Sequence, residues 1–220
     1  MSSTLAHPVN AAPVLRRDDG HILDDACERW FAPASAGERS LLESLPGPIL
    51  DVGCGPGRIV VACAEVGIPA LGIDSASGAI TATRRRGGTA LLRSIFDPLP
   101  AEGRWGSAVL ADGNIGIGAD PVRLLRRLAA VVRPGGLVVA EVNAPGEGIR
   151  RHRVRIERAR VASAWFPWVT VSADAMSGLA DQADLEHTDM HLVEGRWFVV
   201  LTRPDAATST HEDEIAEAGR

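Results

Sequence analysis

Short apolar runs alternate with stretches of helical periodicity between residues 36 and 142. Each run is four to six residues long, which is typical of strands buried on both faces. Because strands that alternate with helices pack into a parallel sheet, the pattern indicates an α/β fold. It predicts strands at residues 49–52, 71–74, 89–93, 107–111 and 137–142, and helices at residues 36–45, 58–66, 76–86 and 120–133.

Two of these helices begin with capping signals. Ser35 and Glu38 have the spacing of a capping box, in which each side chain accepts a hydrogen bond from the other residue's backbone N–H. Asp120 followed by Pro121 is typical of a helix start, and the helix that follows has one apolar and one basic face.

The pattern changes beyond residue 148. Val154 and Ile156 alternate with charged residues, which predicts a half-exposed strand. The segment 150–160 is basic, so a solvated strand face and an anion or nucleic-acid site both remain open. After it the sequence predicts a helix at residues 173–183 and an antiparallel hairpin at residues 186–193 and 196–202.

The two ends of the chain lack a periodic pattern. Residues 1–18 are rich in Ala, Pro, Ser and Asp, and residues 204–220 are polar and acidic, so both are expected to be disordered. A helix is expected between residues 20 and 31. The 220-residue length is that of one domain, expected at residues 19–203.

A glycine-rich turn follows the first strand of the parallel pattern. Gly53, Gly55 and Gly57 occupy alternate positions directly before a predicted helix. Glycine allows a sharp bend and lets a ligand approach the backbone closely. The helix that follows presents free N–H groups and the positive end of its dipole to that ligand. The unit therefore predicts a nucleotide-type binding site.

The residues around this turn narrow the choice of ligand. Arg58 stands where the dinucleotide-binding fingerprint has its third glycine, and the Lys-Ser/Thr pair of a phosphate-binding loop is absent. Asp51 lies inside the strand, two residues before Gly53. A carboxylate at that position suits a cofactor with a cationic group better than a pyrophosphate.

The pattern D-x-G-x-G-x-G at residues 51–57 resembles motif I of the class I S-adenosylmethionine-dependent methyltransferases. The Arg-Pro-Gly-Gly turn at residues 133–136 is a further match, and the resemblance covers about residues 36–203. It implies a Rossmann-like three-layer sandwich around a seven-stranded, mostly parallel sheet. The implied strand order is 3-2-1-4-5-7-6, with the last strand antiparallel.

The resemblance also implies a set of cofactor-binding residues. Asp51 would lie near the amino-acid part of S-adenosylmethionine, and Asp74, at the end of the second strand, would accept from the ribose hydroxyls; Asp74 also fits a helix N-cap. Ser94 occupies the position of an adenine-binding acid, while Asp97 fits a turn before Pro98. The full implied set is Asp51, Gly53, Cys54, Gly55, Gly57, Asp74, Ser75, Ser94, Ile95, Phe96, Asp112, Gly113 and Asn114.

The residues on the acceptor side carry less specific signals. Asp112 and Asn114 follow the fourth strand, where they would face the methyl group and the acceptor, or else serve only as turn formers. Asp112 and His152 are the candidates for a general base, and the sequence assigns neither. Three aromatic residues, which fit core packing as well, could contact the acceptor: Trp30, Trp165 and Trp168.

Composition excludes several classes of protein. The net charge of −5 argues against a general nucleic-acid binder. Three cysteines without C-x-x-C spacing argue against a disulfide framework or a zinc site, and no metal is expected. The sequence has no export signal and no apolar run that could span a bilayer, so a cytoplasmic location is expected.

These observations predict an enzyme that transfers a methyl group from S-adenosylmethionine to a small molecule and releases S-adenosylhomocysteine. One alternative is a regulatory protein that binds the same cofactor without catalysis. The other is a nicotinamide-dependent oxidoreductase, which Asp51 and Arg58 disfavour.

Overall fold

The computed structural model describes residues 13–24, 27–158 and 161–205. Its helices are α1 (Cys27–Phe31), α2 (Ala36–Ser44), α3 (Arg58–Glu65), α4 (Ser77–Arg85), α5 (Pro121–Val131) and α6 (Met176–Gln182), with short 3-10 helices at Asn114–Ala119 and Ala173–Ala175. Its strands are β1 (Val14–Arg17), β2 (Ile22–Asp24), β3 (Ile49–Val52), β4 (Ala70–Asp74), β5 (Ala90–Leu92), β6 (Trp105–Leu110), β7 (Val132–Val142), β8 (Ile149–Arg158), β9 (Val161–Ala162), β10 (Phe166–Val171), β11 (Glu186–Val193) and β12 (Arg196–Thr202).

A seven-stranded sheet with the order β11-β12-β7-β6-β3-β4-β5 forms the centre of the fold. The pairs from β5 across to β7 are parallel, and β12 is antiparallel to both β7 and β11. Only β12 therefore runs against the other six strands. The strand order and the reversed last strand expected from the sequence are confirmed.

Helices cover both faces of this sheet. On one face α5 and α6 bury an apolar cluster that includes Leu124, Leu128 and Met176. On the other face α2 and α3 contribute Leu42 and Ile59 to a second cluster. All residues of β3 and β6 are buried, because a parallel sheet between two helical layers has no solvated face. The predicted three-layer sandwich is confirmed.

The predicted helix caps are present. Ser35 Oγ accepts from the Glu38 backbone N–H at 3.2 Å, and Glu38 Oε2 accepts from the Ser35 N–H at 2.9 Å. Asp120 Oδ1 accepts from the Arg123 N–H at 3.0 Å at the start of α5. None of the described helices is long and apolar enough to cross a membrane.

A second, antiparallel sheet has the order β10-β8-β1-β2, with β9 beside β8. The sequence predicts only the β8 part of it. Val14–Arg17 lie in a stretch expected to lack structure and form β1, and residues 20–31, expected to be helical, form β2 and the short α1. The reason is that β1 pairs with β8, about 140 residues away, and pairing at that distance leaves no local pattern. The disorder expected for residues 1–12 and 206–220 lies outside the described residues.

Gly106 in β6 offers a test of the packing beneath the central sheet. A Cβ at Gly106 would overlap the carbonyl oxygens of Pro46 and Gly47. Because backbone atoms cannot move aside cheaply, Gly106→Ala should lower the free energy of unfolding by about 2 kcal/mol or more. Gly178→Ala is the matched control, since Gly178 lies on an exposed part of α6 with no described atom within 4 Å of the new Cβ.

Denaturant unfolding measures both variants. Gly178→Ala should raise the free energy of unfolding by about 0.5–1 kcal/mol, because alanine loses less backbone entropy in a helix. Equal stability of the two variants would contradict the packing around Gly106.

Candidate functional site

A cavity of about 960 Å³ lies at the carboxyl ends of β3, β4 and β6. The strands β3 and β6 are neighbours in the sheet, although β4 and β5 separate them along the chain. Ligands of open parallel sheets bind where the strand order reverses in this way. The second sheet and α1 line the opposite side of the cavity, through residues such as Leu15, Trp30 and Trp168.

The glycine turn after β3 has a left-handed backbone, and its Gly53 and Gly55 line the cavity, whereas Gly57 is not among the described lining residues. The φ angles of Gly53, Gly55 and Gly57 are 72°, 51° and 87°, a region that other residues enter only with strain. A Cβ at Gly53 would meet the Asn114 side chain at 2.6 Å, and one at Gly57 would meet Thr83. A Cβ at Gly55 would meet no described atom within 4 Å. Gly55 is therefore the position where the backbone leaves room for a ligand.

Cys54, within the same turn, lines the cavity, as predicted for a cofactor-binding residue. Its side chain is buried, and burial together with the nearby Asp51 and Asp74 carboxylates raises the pKa of its thiol. A thiol that stays protonated is a poor nucleophile. The structure therefore gives no support to a catalytic cysteine.

Asp51 is a buried carboxyl group in the cavity wall. Its side chain is 2% exposed, and its Oδ2 has no hydrogen-bond partner among the described residues. Burial, with smaller contributions from the Asp112 and Asp74 carboxylates, raises the pKa of Asp51 from 3.8 to about 8. The Val60 backbone N–H donates to the Asp51 carboxyl group, which tempers the rise, but no described cation forms an ion pair with it. A buried acid without a cationic partner is destabilising by itself, and a donor or cation at Oδ2 would relieve that cost.

The carboxylate of Asp74 ties the glycine turn to the segment before α4. Its Oδ2 accepts from the Gly55 N–H at 2.9 Å and its Oδ1 accepts from the Ala76 N–H at 2.8 Å. Asp74 and Ser75 both line the cavity. The alternative of a helix N-cap is wrong, because Ala76 is the N-cap of α4 and no side chain makes a cap hydrogen bond there. The predicted contact of Asp74 with ribose stays a prediction.

The segment after β5 divides between the cavity and the core. Ser94 and Ile95 line the cavity. Phe96 is not among the described lining residues; its ring lies under the Arg123 guanidinium, 4.2 Å from Cζ to the centroid. Asp97 Oδ2 accepts from the Ser94 N–H at 3.1 Å, which supports the interpretation of Asp97 as a turn residue.

Five charged side chains form a buried group beside the cavity, which we call the Arg58 cluster: Glu38, Arg58, Asp112, Glu141 and Arg196. Arg58 Nη1 pairs with Glu38, and Arg58 Nη2 lies 2.5 Å from Asp112 Oδ2. Arg196 contacts Glu38 and Glu141 at 2.5 Å each and Asp112 at 3.3 Å. The side chains of Arg58 and Glu38 are each only 4% exposed.

The Arg58 cluster changes the interpretation of Asp112 and its neighbours. The Asp112 carboxylate lines the cavity, but both of its oxygens contact arginines. Burial raises its pKa, and Arg58 opposes that effect.

Asn114 Nδ2 donates to the carbonyl oxygens of Val52 and Gly53 at 3.0 and 2.9 Å, so its amide anchors the end of β3. Gly113 has φ +73° and is not among the described lining residues.

The structure separates the three tryptophans. Trp30 and Trp168 line the cavity. Trp165 does not appear among the described lining residues; it stacks under Arg155, 4.6 Å from Cζ to the ring centroid. Trp165 is therefore not brought to the site.

His152 is also not brought to the cavity within the described part of the chain. Its Nε2 lies 3.1 Å from Thr170 Oγ1, and burial lowers its pKa. A histidine in this position has no cavity-facing role in proton transfer.

The sequence patterns do not reveal the Arg58 cluster. In them Arg58 only replaces a glycine of the dinucleotide fingerprint, Glu38 only fits a capping box, and Arg196 and Glu141 carry no signal. One signal was available, because Arg58 directly precedes the apolar run Ile59-Val60-Val61 in a helix that packs on the sheet. An arginine at the buried end of such a helix needs an acidic partner.

Comparison with known proteins agrees with this geometry. Residues 49–136 match the family model described as a methyltransferase domain. A S-adenosylmethionine-dependent methyltransferase from Bacteroides fragilis, solved with S-adenosylhomocysteine, superposes with a TM-score of 0.74 at 18% identity, covering 87% of each chain.

Two further solved structures share the fold. The 1,6-didemethyltoxoflavin-N1-methyltransferase of Burkholderia thailandensis has a TM-score of 0.62 at 18% identity, covering 82% of this chain and 83% of its own. The sugar N-methyltransferase KedS8 of Streptoalloteichus sp. has a TM-score of 0.57 at 22% identity, covering 80% and 88%.

Among curated proteins, 78 residues are 33% identical to the uroporphyrinogen decarboxylase of Arthrobacter sp. (strain FB24). This match covers 36% of the chain and 23% of that protein. The chain thus spans less than a quarter of the relative's length in the match.

The raised pKa of Asp51 predicts a pH-dependent stability. Between about pH 4 and pH 8 the folded protein keeps a proton that the unfolded chain releases, so stability from this group falls as pH rises. The expected slope is up to about 1.4 kcal/mol per pH unit. Asp51→Asn removes the titration, and its advantage over the wild type should grow from pH 5 to pH 8 in urea unfolding. Parallel pH profiles of the two proteins would contradict a buried, unpaired Asp51.

The Arg58 cluster predicts a large penalty for losing its central cation. Arg58→Met leaves Glu38 and Asp112 buried without this partner, which should cost about 3–5 kcal/mol of unfolding free energy. Arg39→Met is the control, because Arg39 pairs with Glu65 in an ion pair whose side chains are 32% and 52% exposed. That change should cost about 1 kcal/mol or less. Equal losses of unfolding free energy in Arg58→Met and Arg39→Met, measured by chemical unfolding, would contradict the buried pairing of Arg58.

Proposed function

We propose that this protein transfers the methyl group of S-adenosylmethionine to a small molecule. Residues 49–136 match the methyltransferase-domain family model, and the fold is similar to that of an S-adenosylmethionine-dependent methyltransferase, which supports the proposal. The observation that carries the proposal is the unpaired Oδ2 of Asp51, buried at the end of β3 in the cavity wall. A buried acid beside a bare glycine turn suits a ligand that is cationic at one end and passes close to the backbone.

The residues of this chain fit the parts of that cofactor. Asp51 would hold its ammonium group, and Gly53 and Gly55 would let its chain pass the end of β3. Asp74, with Ser75 beside it, would accept from the ribose hydroxyls with the lone pairs that its two backbone contacts leave free. Ser94 and Ile95 would border the adenine. When bound, the cofactor supplies a methyl group already activated by its sulfonium.

The chain's own contribution to the reaction is positioning. Much of the acceleration of a transfer between two held reactants comes from orienting them. The loop after β6 is held from both sides, by Asn114 on the backbone of β3 and by Asp112 on the two arginines of its cluster. Because the Asp112 oxygens are occupied in this way, we assign Asp112 to holding the loop. An acceptor that reacts as a free amine needs no general base, and two structural neighbours are named as N-methyltransferases.

Isothermal calorimetry with S-adenosylmethionine, S-adenosylhomocysteine and NAD tests the proposal. We expect both sulfur nucleosides to bind and NAD not to bind. Methyl transfer to a panel of small amines, alcohols and acids should then yield a methylated product. Binding of NAD alone would overturn the proposal, and cofactor binding without product on a broad panel would point to the regulatory alternative.

Asp74 supplies a residue-level test. Asp74→Ala should weaken S-adenosylhomocysteine binding by about 1.5–3 kcal/mol, because a charge-assisted hydrogen bond to the ribose is lost. Asp120→Ala is the control, since Asp120 caps α5 through Arg123 and is not among the described residues that line the cavity. Circular dichroism checks that both variants fold. Unchanged affinity in Asp74→Ala would remove Asp74 from the site.

A further inference from the structure

The second sheet turns a mostly apolar surface toward the cavity. We call this surface the roof, and its residues are Pro13, Leu15, Ile156, Arg158, Phe166 and Trp168. They come from three neighbouring strands or their ends: β10, β8 and β1. Since successive side chains of a strand point to opposite faces, the intervening residues of β8, such as Arg155 and Glu157, belong to the outer face.

The aromatic part of the roof lies against the loop that follows β6. The rings of Phe166 and Trp168 meet edge to face, with centroids 6.0 Å apart and planes at 80°. A Cβ at Gly116 would lie 2.5 Å from Trp168 Cε2 and 2.6 Å from its Nε1. Because Gly116 has no side chain, the indole of Trp168 packs closely against the loop that carries Asp112 and Asn114. An aromatic wall held in one position favours flat ligands.

Arg158 is the one charged residue of the roof within the described chain. Its Cζ lies 5.9 Å from the centroid of Phe31, which also lines the cavity, and it has no ion pair with a described residue. On the outer face, by contrast, Arg16 and Arg155 both pair with Glu157. A guanidinium on an apolar wall without a carboxylate leaves its N–H donors for an anion.

The two carboxylates on the other side of the cavity already have partners. Asp74 accepts from two backbone N–H groups, and Asp112 contacts two arginines. Arg85 and Arg93 also line the cavity, from α4 and from just after β5, and Arg93 directly precedes Ser94, which we place beside the adenine. Arg158 is the cation that shares a wall with Phe166 and Trp168.

We propose that the acceptor is a planar aromatic carboxylate. Its ring lies against Trp168 and Phe166, and its carboxylate pairs with Arg158. The methyl group goes to an amine substituent of the ring: the N–CH3 bond forms as the S–CH3 bond of the sulfonium breaks, S-adenosylhomocysteine leaves, and the proton of the methylated amine passes to water. This assignment rests on the proposed methyl transfer, and it adds to that function the class of molecule that receives the methyl group.

Three probes separate the two features of this acceptor. Hydroxynaphthoate is flat and anionic, hydroxynaphthamide is flat and neutral, and hydroxycyclohexane carboxylate is anionic without an aromatic ring. Calorimetry measures their binding to the protein alone and with S-adenosylhomocysteine. We expect the naphthoate to bind at least about 10-fold more tightly than either of the others, as one charge-assisted contact or one stacked ring provides.

Substitutions then locate the contacts. Arg158→Gln should weaken the naphthoate by about 10- to 100-fold and the naphthamide by less than about 3-fold. Trp168→Leu should weaken both aromatic probes alike. Arg153→Gln is the control, because Arg153 is exposed on the outer face of the same strand and should leave all three affinities unchanged. S-adenosylhomocysteine affinity should be unaltered in every variant.

The outcomes distinguish this assignment from the proposed function. If S-adenosylhomocysteine does not bind the wild-type protein, the proposed methyl transfer fails, whatever the probes do. If it binds while the naphthoate binds no better than the naphthamide, or binds not at all, the aromatic-carboxylate assignment is overturned. The same holds if Arg93→Gln, and not Arg158→Gln, removes the preference for the carboxylate.

Discussion

The Arg58 cluster is the interaction on which the geometry of the site depends. Arg58 begins α3 directly after the glycine turn, and its guanidinium is buried between Glu38 of α2 and Asp112 after β6. Arg196 of β12 closes the group by contacting both acids and Glu141 of β7. A buried charge is costly unless it is paired, and the Arg58 guanidinium pairs with two carboxylates, although its Nε has no hydrogen-bond partner among the described residues. The cluster therefore holds five elements in one arrangement at the end of the sheet where the cavity opens.

Asp51 has no cationic partner among the described residues, because the cations of the Arg58 cluster pair with Glu38, Asp112 and Glu141. Within the turn the Gly55 N–H donates to Asp74, and the Gly53 and Cys54 N–H groups donate to the carbonyl oxygen of Ile73. Asp51 is therefore a buried carboxyl group without a cation beside it, and burial raises its pKa to about 8. A cationic ligand would bind more tightly at such a site, because it would offset the free-energy cost of burying the Asp51 carboxyl group without a cation.

The two sheets form different walls of the cavity. The central sheet places backbone, acids and amides at the ends of its strands, where the parallel arrangement fixes their positions. The antiparallel sheet forms the roof, in which Trp168 packs against Gly116 and Arg158 lies near the ring of Phe31. In the function proposed above, the ends of the central strands hold the cofactor and the roof contacts the acceptor.

The amino-acid sequence by itself determined the alternation of strands and helices, the capping box at Ser35 and the bend at the glycine turn, because periodicity, caps and glycine act over a few residues. The order of the central strands followed only from the resemblance to class I methyltransferases. It also placed Asp51 and Asp74 at the cavity, since the ends of parallel strands meet at one edge. Only the tertiary structure decided that β1 exists, that Trp165 and Phe96 face away while Trp168 faces in, and that Arg58 joins Glu38 to Asp112. These features join residues far apart in the chain, and no local pattern encodes a partner at that distance.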